Sequence, residues 1–466
     1  MNGETSPALL LDLYELTMAD AYRRESMADR PATFSLFVRS EPANWGYLVA
    51  AGLDDCLLWL EQLHFTPADL EAVARLRIFP DEFLVWLGEL RFTGSVRAVP
   101  EGTIVFAGEP LLEVEGPVAE AQLAETYLLN QMTLQTGLAT QASRCRHAAG
   151  GRAVVDFALR RAPGVDAGMK LARCSRLVGL NGSSNVAGAH RYGVASSGTM
   201  GHSFVQAHRD ETAAFRAYAQ VFREATVLLV DTYDTAQGIE RAIEVAREMR
   251  REGVELRGVR LDSGDLGAEA FRARRRLDQE GFPTMTIFVS GGLDEYSIER
   301  LVKVEGAPID GFGVGTSLGT AGKAPTLDSV YKMVSYDGRA VRKTSPGKET
   351  WPGPKQLWRD FEWQGDILAA ADEPAPEGNW EPLLKEVMRD GRLTAVGQRS
   401  LADSHRHFES QWSSLPIHLK SLTSAPRYPV VPSGHLLELT AHVDRCRAEI
   451  DQPTRTKSTG MGQEAV

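Results

Sequence analysis

The apolar residues of the chain fall into a regular rhythm between residues 225 and 335. Runs rich in β-branched residues (TVLLV, LRGVRL, MTIFV, IDGFGV) begin near positions 226, 256, 285 and 310. Between the first two, Ile239, Ala242, Ile243, Ala246 and Met249 keep the spacing of an amphipathic helix, and Ile298, Leu301 and Val302 repeat it in the third connection. Strands and helices alternating at one period predict βα units and a parallel sheet, either open or closed into a barrel. Upstream, ATFSLFVR (32–39) has strand composition, and Leu53 to Leu63 carries helical spacing. The stretch GSVRAVPEGTIVFAGEPLLEVEGP (94–117) reads as short strands punctuated by Gly and Pro, as in an antiparallel layer. Residues 118–148 read as one long helix leading to a strand, AVVDFALRRAPG, that ends in charge. After residue 335 the rhythm is lost: WQGDILAAADEPAPEGNWEP reads as a loop and residues 451–466 as a disordered tail.

Each run of the regular region ends in polar or glycine-rich sequence. VDTYDT carries Asp231 and Asp234; RLDSGDLG carries Arg260, Asp262 and Asp265. VSGGLDE carries Ser290, Gly291 and Gly292; GVGTSLGT carries Gly313, Gly315, Thr316 and Ser317. The carboxyl ends of parallel strands hold the chemistry in barrels and open sheets alike, so the four clusters are expected to converge. Glycine-rich turns offer backbone N–H groups to a phosphate. Carboxylates fix ribose hydroxyls, hold a divalent cation or balance positive charge on a sugar. Asp and Gly are also ordinary turn residues, so the weight lies in four clusters in succession at one period.

A second signal is SSGTMGHSFVQAH (196–208), where small residues precede a single imidazole. Gly198 and Gly201 permit a bent backbone that a large ligand can approach. His202 reads either as the cap of a helix beginning near Ser203 or as a reactive group.

Composition narrows the classes. At 466 residues the chain exceeds one ordinary core, and 43% apolar with 24% charged residues is globular composition. A net charge of −11 disfavours a nucleic-acid surface without excluding a small phosphorylated ligand. No apolar run is long enough to span a membrane and the start lacks a basic leader, so a cytoplasmic protein is expected. Cys56, Cys145, Cys174 and Cys446 lack paired spacing and are expected to be reduced. The basic stretch from Arg342 to Arg359 reads as a solvated loop.

From LLDLYELTMADAY through FALRRAPG, GTMGHSFVQAH, VDTYDT, RLDSGDL, FVSGGLDE and GFGVGTSLGT to GKETWPGPKQLWR, the chain resembles the nicotinate phosphoribosyltransferases over nearly its whole length. The resemblance implies a quinolinate-phosphoribosyltransferase-like α/β fold, an irregular incomplete (β/α) barrel packed with an α/β sandwich domain, working as a dimer. It implies a segment (1–25) reaching across the dimer, a sandwich domain (26–120), a barrel (121–335) and a C-terminal segment (336–450) packed on both. The implied reaction joins nicotinate to phosphoribosyl diphosphate, giving nicotinate mononucleotide and diphosphate, with magnesium and coupled ATP hydrolysis.

By the same resemblance His202 becomes a phosphohistidine, with Thr199 and Ser203 beside the triphosphate. Asp262 lies near the ribose, Arg260 contacts phosphate, and Asp231 supports the substrate or its magnesium-diphosphate. Gly291, Gly292, Gly313 and Gly315 cradle the 5'-phosphate, and Ser290 and Thr316 also bind substrate. The pyridine ring stacks between Phe157 and Tyr14 of the neighbouring subunit, Arg160 holds its carboxylate, and Ser184 stands where nicotinamide-using relatives place an aspartate. The chain departs from the family pattern at Gly201 and Ala158. The alternatives are a nicotinamide or quinolinate enzyme on the same fold and a non-catalytic metabolite-binding descendant, against which the intact Asp, Arg and His set stands. A Schiff-base aldolase lacks a lysine at the strand ends, only Lys303 and Lys323 lying beyond them.

Overall fold

The computed structural model describes residues 6–450, so the expected tail, 451–466, lies outside them. Six strands form a parallel sheet: β1 (Ala153–Asp156), β2 (Gly182–Ser183), β3 (Val227–Leu229), β4 (Gly258–Leu261), β5 (Thr286–Ser290) and β6 (Gly311–Val314). Their order across the sheet is β2-β1-β6-β5-β4-β3. This is the circular order of a barrel with one pairing missing, between β2 and β3. The sheet is therefore an open, incomplete barrel. Its strands are buried on both faces, which is why they read as continuous apolar runs rather than as an alternation.

The helices between the strands start where the sequence gives them a cap. Asp234 accepts from Gln237 N at 2.8 Å to open Thr235–Arg251, whose buried face is Ile239, Ala242, Ile243, Ala246 and Met249, the predicted stripe. Asp265 accepts from Ala268 N at 3.1 Å and opens Leu266–Gln279 in the same way.

A seven-stranded antiparallel sheet makes the second layer. Within it Pro31–Val38 pairs with the central strand, Pro110–Pro117, on one side and with Ser329–Tyr336 on the other. The region after residue 335 is more ordered than its sequence suggests. Lys355–Asp360 and Asp366–Ala370 pair as an antiparallel hairpin, and Lys385–Arg389 joins the large sheet beside Ser95–Ala98. The stretch read as a loop at 363–382 thus contains Asp366–Ala370 and Trp380–Pro382. These strands are short, and their inward positions carry ion pairs, so they lack the apolar alternation that marks a strand. Arg359, expected in a solvated loop, is 3% exposed and pairs with Asp366 and Glu109. Lys355 is equally buried and pairs with Glu113 at 2.9 Å.

The helix Glu125–Ala148 ties the layers together: Leu128 and Met132 pack in the core of the antiparallel sheet, and Leu138, Ala142 and Cys145 in that of the parallel sheet. On it sits Arg144, with no exposed surface. Its Nε donates to Glu295 at 3.2 Å, Nη1 to Asn44 O at 2.9 Å and Nη2 to Leu422 O at 3.2 Å. One guanidinium so links three distant parts of the chain. Arg144→Met leaves the Glu295 carboxylate buried without its cation and should cost about 3–5 kcal/mol, read as a lower urea midpoint. Adding Glu295→Gln should recover part of that loss.

Candidate active site

Strand register brings the sequence clusters into one layer. Ser290 stands opposite Gly313, Leu229 opposite Arg260, Val314 opposite Asp156, and Asp156 opposite Ser183. The polar residues that follow these positions therefore emerge together at the carboxyl end of the sheet, as expected for parallel strands.

Arg260 organises this layer. It is 8% exposed, and its guanidinium donates to four partners: Ser290 Oγ at 2.9 Å, Thr199 Oγ1 at 2.6 Å, Met200 O at 3.2 Å and Asp262 Oδ1 at 3.0 Å. Ser290 Oγ also donates to Asp262. Burial opposes ionisation of Asp262, but the Ser290 hydroxyl and the Arg260 guanidinium outweigh it and hold this carboxyl below its ordinary range. Asp262 is thus an anion at neutral pH.

The loop 196–202 lies along the open edge of the sheet. Ser196 bridges Ser183, and Ser197 N donates to Ser183 O at 3.0 Å, extending the β2 edge. The loop then turns beneath Arg260 and reaches the β3 end, where His202 Nδ1 lies 3.2 Å from Thr232 Oγ1. His202 Nε2 lies 3.7 Å from Asp262 Oδ2, and the ring is 40% exposed. The helix opens at His202 itself, with Gly201 as its N-cap residue, so the imidazole is not the cap.

Two cavities meet at a shared wall of Phe157, Arg160 and Asp262. One, of about 360 Å³, is lined further by Ser184, Gly198, Thr199, Met200, Gly201, His202 and Arg260. The other, of about 320 Å³, is lined by Ser290, Gly291, Gly292, Gly313, Gly315 and Thr316. Gly291 is required there: its φ is +95°, and a Cβ would lie 1.9 Å from Asp262 O. Gly313 is required for another reason, since a Cβ would lie 2.4 Å from the Phe157 ring. Phe157 packs 5.8 Å from Phe288, with the Arg260 guanidinium 5.6 Å from its centroid.

Asp231, 9% exposed, buttresses Asp262. Its Oδ2 accepts from Asp262 N at 2.9 Å and Ser263 Oγ at 2.6 Å, while Oδ1 is buried without a partner. That orphaned oxygen suits a metal ligand. Among the described residues no group of three His, Cys, Asp or Glu side chains forms a metal cage. A single carboxylate oxygen is a donor type suited to magnesium whose other ligands are phosphate oxygens.

Three expected residues line neither cavity, Asp231 among them, which reaches the site only through the Asp262 backbone N–H. Tyr14, on the exposed face of Leu13–Arg24, lines neither cavity, and Ser203 is exposed beyond the His202 ring without lining either. Asp234 and Asp265 act as helix caps. Arg161, Asp294, Tyr296 and Lys323 line the glycine-rich cavity and were not singled out from sequence. Lys323, set aside as lying beyond the strand ends, comes back to the cleft with Nζ 5.2 Å from the Tyr296 ring. A chain that folds back by one turn leaves no periodic signal.

Residues 9–133 match the model of the nicotinate phosphoribosyltransferase N-terminal domain, and residues 153–343 that of the nicotinate phosphoribosyltransferase family. A nicotinate phosphoribosyltransferase of Mycobacterium tuberculosis is 45% identical over 448 residues, covering 95% of each chain. The chain belongs to the nicotinate phosphoribosyltransferase family. Another member, from Bacillus subtilis, is 40% identical over 458 residues, covering 92% of this chain and 93% of that one. The crystal structure of human nicotinic acid phosphoribosyltransferase superposes with a TM-score of 0.83 at 31% identity, covering 93% of this chain and all of that one. A nicotinate-nucleotide pyrophosphorylase from Pyrococcus furiosus superposes at 0.73 with 25% identity, covering 89% and 97%. The phosphoribosyltransferase family fold is thus an open parallel sheet packed with an antiparallel layer. No helix among the described residues is long and apolar enough to cross a membrane.

In this family member Arg260 fastens the 199–200 backbone to the sheet. Arg260→Met should speed amide hydrogen exchange across 196–202 by about ten-fold or more, while β5 and β6 stay protected, because buried polar partners lose their donor. Unchanged exchange in that loop would show that Arg260 does not hold it.

Proposed function

We infer that the protein is a nicotinate phosphoribosyltransferase that joins nicotinate to phosphoribosyl diphosphate with coupled ATP hydrolysis. The observation that carries this reading is the pair of cavities divided by the wall of Phe157, Arg160 and Asp262, one holding Ser184, His202 and Arg260 and the other the turns of Gly291, Gly292, Gly313 and Gly315. The nicotinate ring would stack on Phe157, with Arg160 taking its carboxylate by a charge-assisted pair and Ser184 donating to it. The 5'-phosphate would rest on the backbone of Gly291, Gly292, Gly313 and Gly315, with Ser290 and Thr316 beside it.

The reaction forms a bond from the pyridine nitrogen to ribose C1 as the bond from C1 to the diphosphate oxygen breaks. The nitrogen lone pair is the nucleophile, so no general base is needed. Positive charge grows on the ribose, and the Asp262 carboxylate, kept ionised by Ser290 and Arg260, faces that charge. Asp231, whose Oδ1 is free, would hold magnesium carried by the leaving diphosphate, and the metal would supply charge neutralisation there. Arg260 both fixes the wall and presents a cation to the phosphates.

His202 would accept the γ-phosphoryl group of ATP. In the tautomer whose Nδ1–H donates to Thr232 Oγ1, Nε2 would present its lone pair for the transfer, and Thr199 lines the same cavity. Phosphorylation would place new negative charge beside Asp262 and so change affinity for the diphosphate substrates. Tyr14 is exposed on the N-terminal helix beside exposed Leu10 and Leu13, which supports a homodimer in which it completes the neighbour's ring pocket. The negative net charge disfavours a nucleic-acid partner.

His202→Ala should abolish nicotinate-dependent ATP hydrolysis while some ATP-independent nucleotide formation survives, because the glycosyl step uses other groups. An ATPase rate equal to wild type would overturn the histidine's role. Selectivity is tested by assaying nicotinate and nicotinamide in parallel, with and without ATP. The wild type should prefer nicotinate, and Ser184→Asp should lower its kcat/KM by roughly 10²-fold through repulsion in a partly desolvated pocket while nicotinamide loses far less. A wild type that already prefers nicotinamide would overturn the substrate reading.

A further inference from the structure

One buried carboxylate has no place in the reaction above. Asp156, at the end of β1, is 1% exposed, and the groups that set its ionisation are burial, the Ser183 hydroxyl and the Ala158 N–H, with no cation among them. Its Oδ1 accepts from Ala158 N at 2.7 Å and its Oδ2 from Ser183 Oγ at 2.6 Å. Ser183 Oγ in turn accepts from Asn185 N at 3.1 Å, and Ser184 N donates to Asp156 O at 2.8 Å. The carboxylate therefore joins the turn that follows Phe157 to the turn that carries Ser184.

Backbone pairing alone gives this junction little definition. β2 has only two residues, and the ladder between β1 and β2 consists of Val155 opposite Gly182 and Asp156 opposite Ser183. Its other edge is the open seam, held by the bridge to Ser196. A buried carboxylate without a cation is costly, whereas a fully bonded one fixes geometry. Its two bonds set the distance between the ring that stacks on the substrate and the side chain that meets the ring's substituent.

We propose that Asp156, acting through Ser183, is a positioning residue that sets the gap between Phe157 and Ser184 and so the fit of the pyridine substrate. The proposal rests on the nicotinate reading. It bears first on the pyridine substrate, since Ser184 lines only the cavity on its own side of the Phe157 wall, whereas the glycines of the phosphate cradle lie at the ends of β5 and β6. Asp156→Asn keeps the side-chain shape, but its amide nitrogen cannot accept, so one of the two donors loses its partner. Ser183→Ala removes one hydroxyl and is the milder change.

The experiment is steady-state kinetics of wild type, Asp156→Asn and Ser183→Ala, varying each substrate while the other saturates. Both variants should raise the nicotinate KM by about ten-fold, with kcat and the phosphoribosyl diphosphate KM within about two-fold of wild type, the scale of one lost buried hydrogen bond. A nicotinate KM unchanged in Ser183→Ala, or both substrate KM values rising together, would show a role confined to stability and overturn the proposal. If Asp156→Asn is insoluble, Ser183→Ala decides alone. A wild type that makes no nicotinate mononucleotide would overturn the function and this inference with it, whereas an active wild type with unaffected variants would overturn only the inference.

Discussion

The site depends on one guanidinium in an open sheet. Breaking the barrel between β2 and β3 leaves backbone groups and a gap at the carboxyl end of the strands, and the loop 196–202 fills that edge. Nothing in the loop itself is apolar enough to hold it, apart from Met200. Arg260 supplies the hold, because a planar cation with several fixed donors can bond a backbone carbonyl, two hydroxyls and a carboxylate at once. The same contacts keep Asp262 charged and place His202 within reach of both Thr232 and Asp262.

Electrostatics in the cleft run against those of the whole chain. The protein is acidic overall, yet Arg160, Arg161, Arg260 and Lys323 reach one cleft with Asp262 and Asp294. Opposite charges side by side suit a reaction in which a sugar gains positive charge while its leaving group gains negative charge. Asp262 and Asp231 are also linked through a backbone N–H, so the carboxylate that lines both cavities is supported by one whose second oxygen has no partner.

Much of the barrel was legible from residues alone. Parallel strands buried on both faces must be apolar and short, and the caps Asp234 and Asp265 mark the helices that follow them. The region after residue 335 was not legible, because Arg359, Asp366 and Lys355 stand where a strand's apolar residues would reveal it. In the candidate site, glycines such as Gly291 were readable because a positive φ demands them. Arg161, Tyr296 and Lys323 were not readable, because their presence in the cleft depends on where a chain returns. Asp156 was read only as charge at a strand end, since nothing local shows that it will be sealed under two turns.

Sequence by itself determined the alternation of strand and helix, the clustering of Asp and Gly at strand ends and the family motifs, because these are set by local backbone preference and by which residue types a turn tolerates. Tertiary structure alone decided that the sheet stays open, that loop 196–202 lies across the opening, and that the cleft is split by Phe157 into two cavities. It also decided which carboxylates became caps, which, as at Asp262, came to line the cleft, and which, as at Asp156, became a buried clamp. The physical reason is that a side chain's charge and hydrogen bonding depend on what is packed against it from elsewhere in the chain, and no local pattern encodes that neighbour.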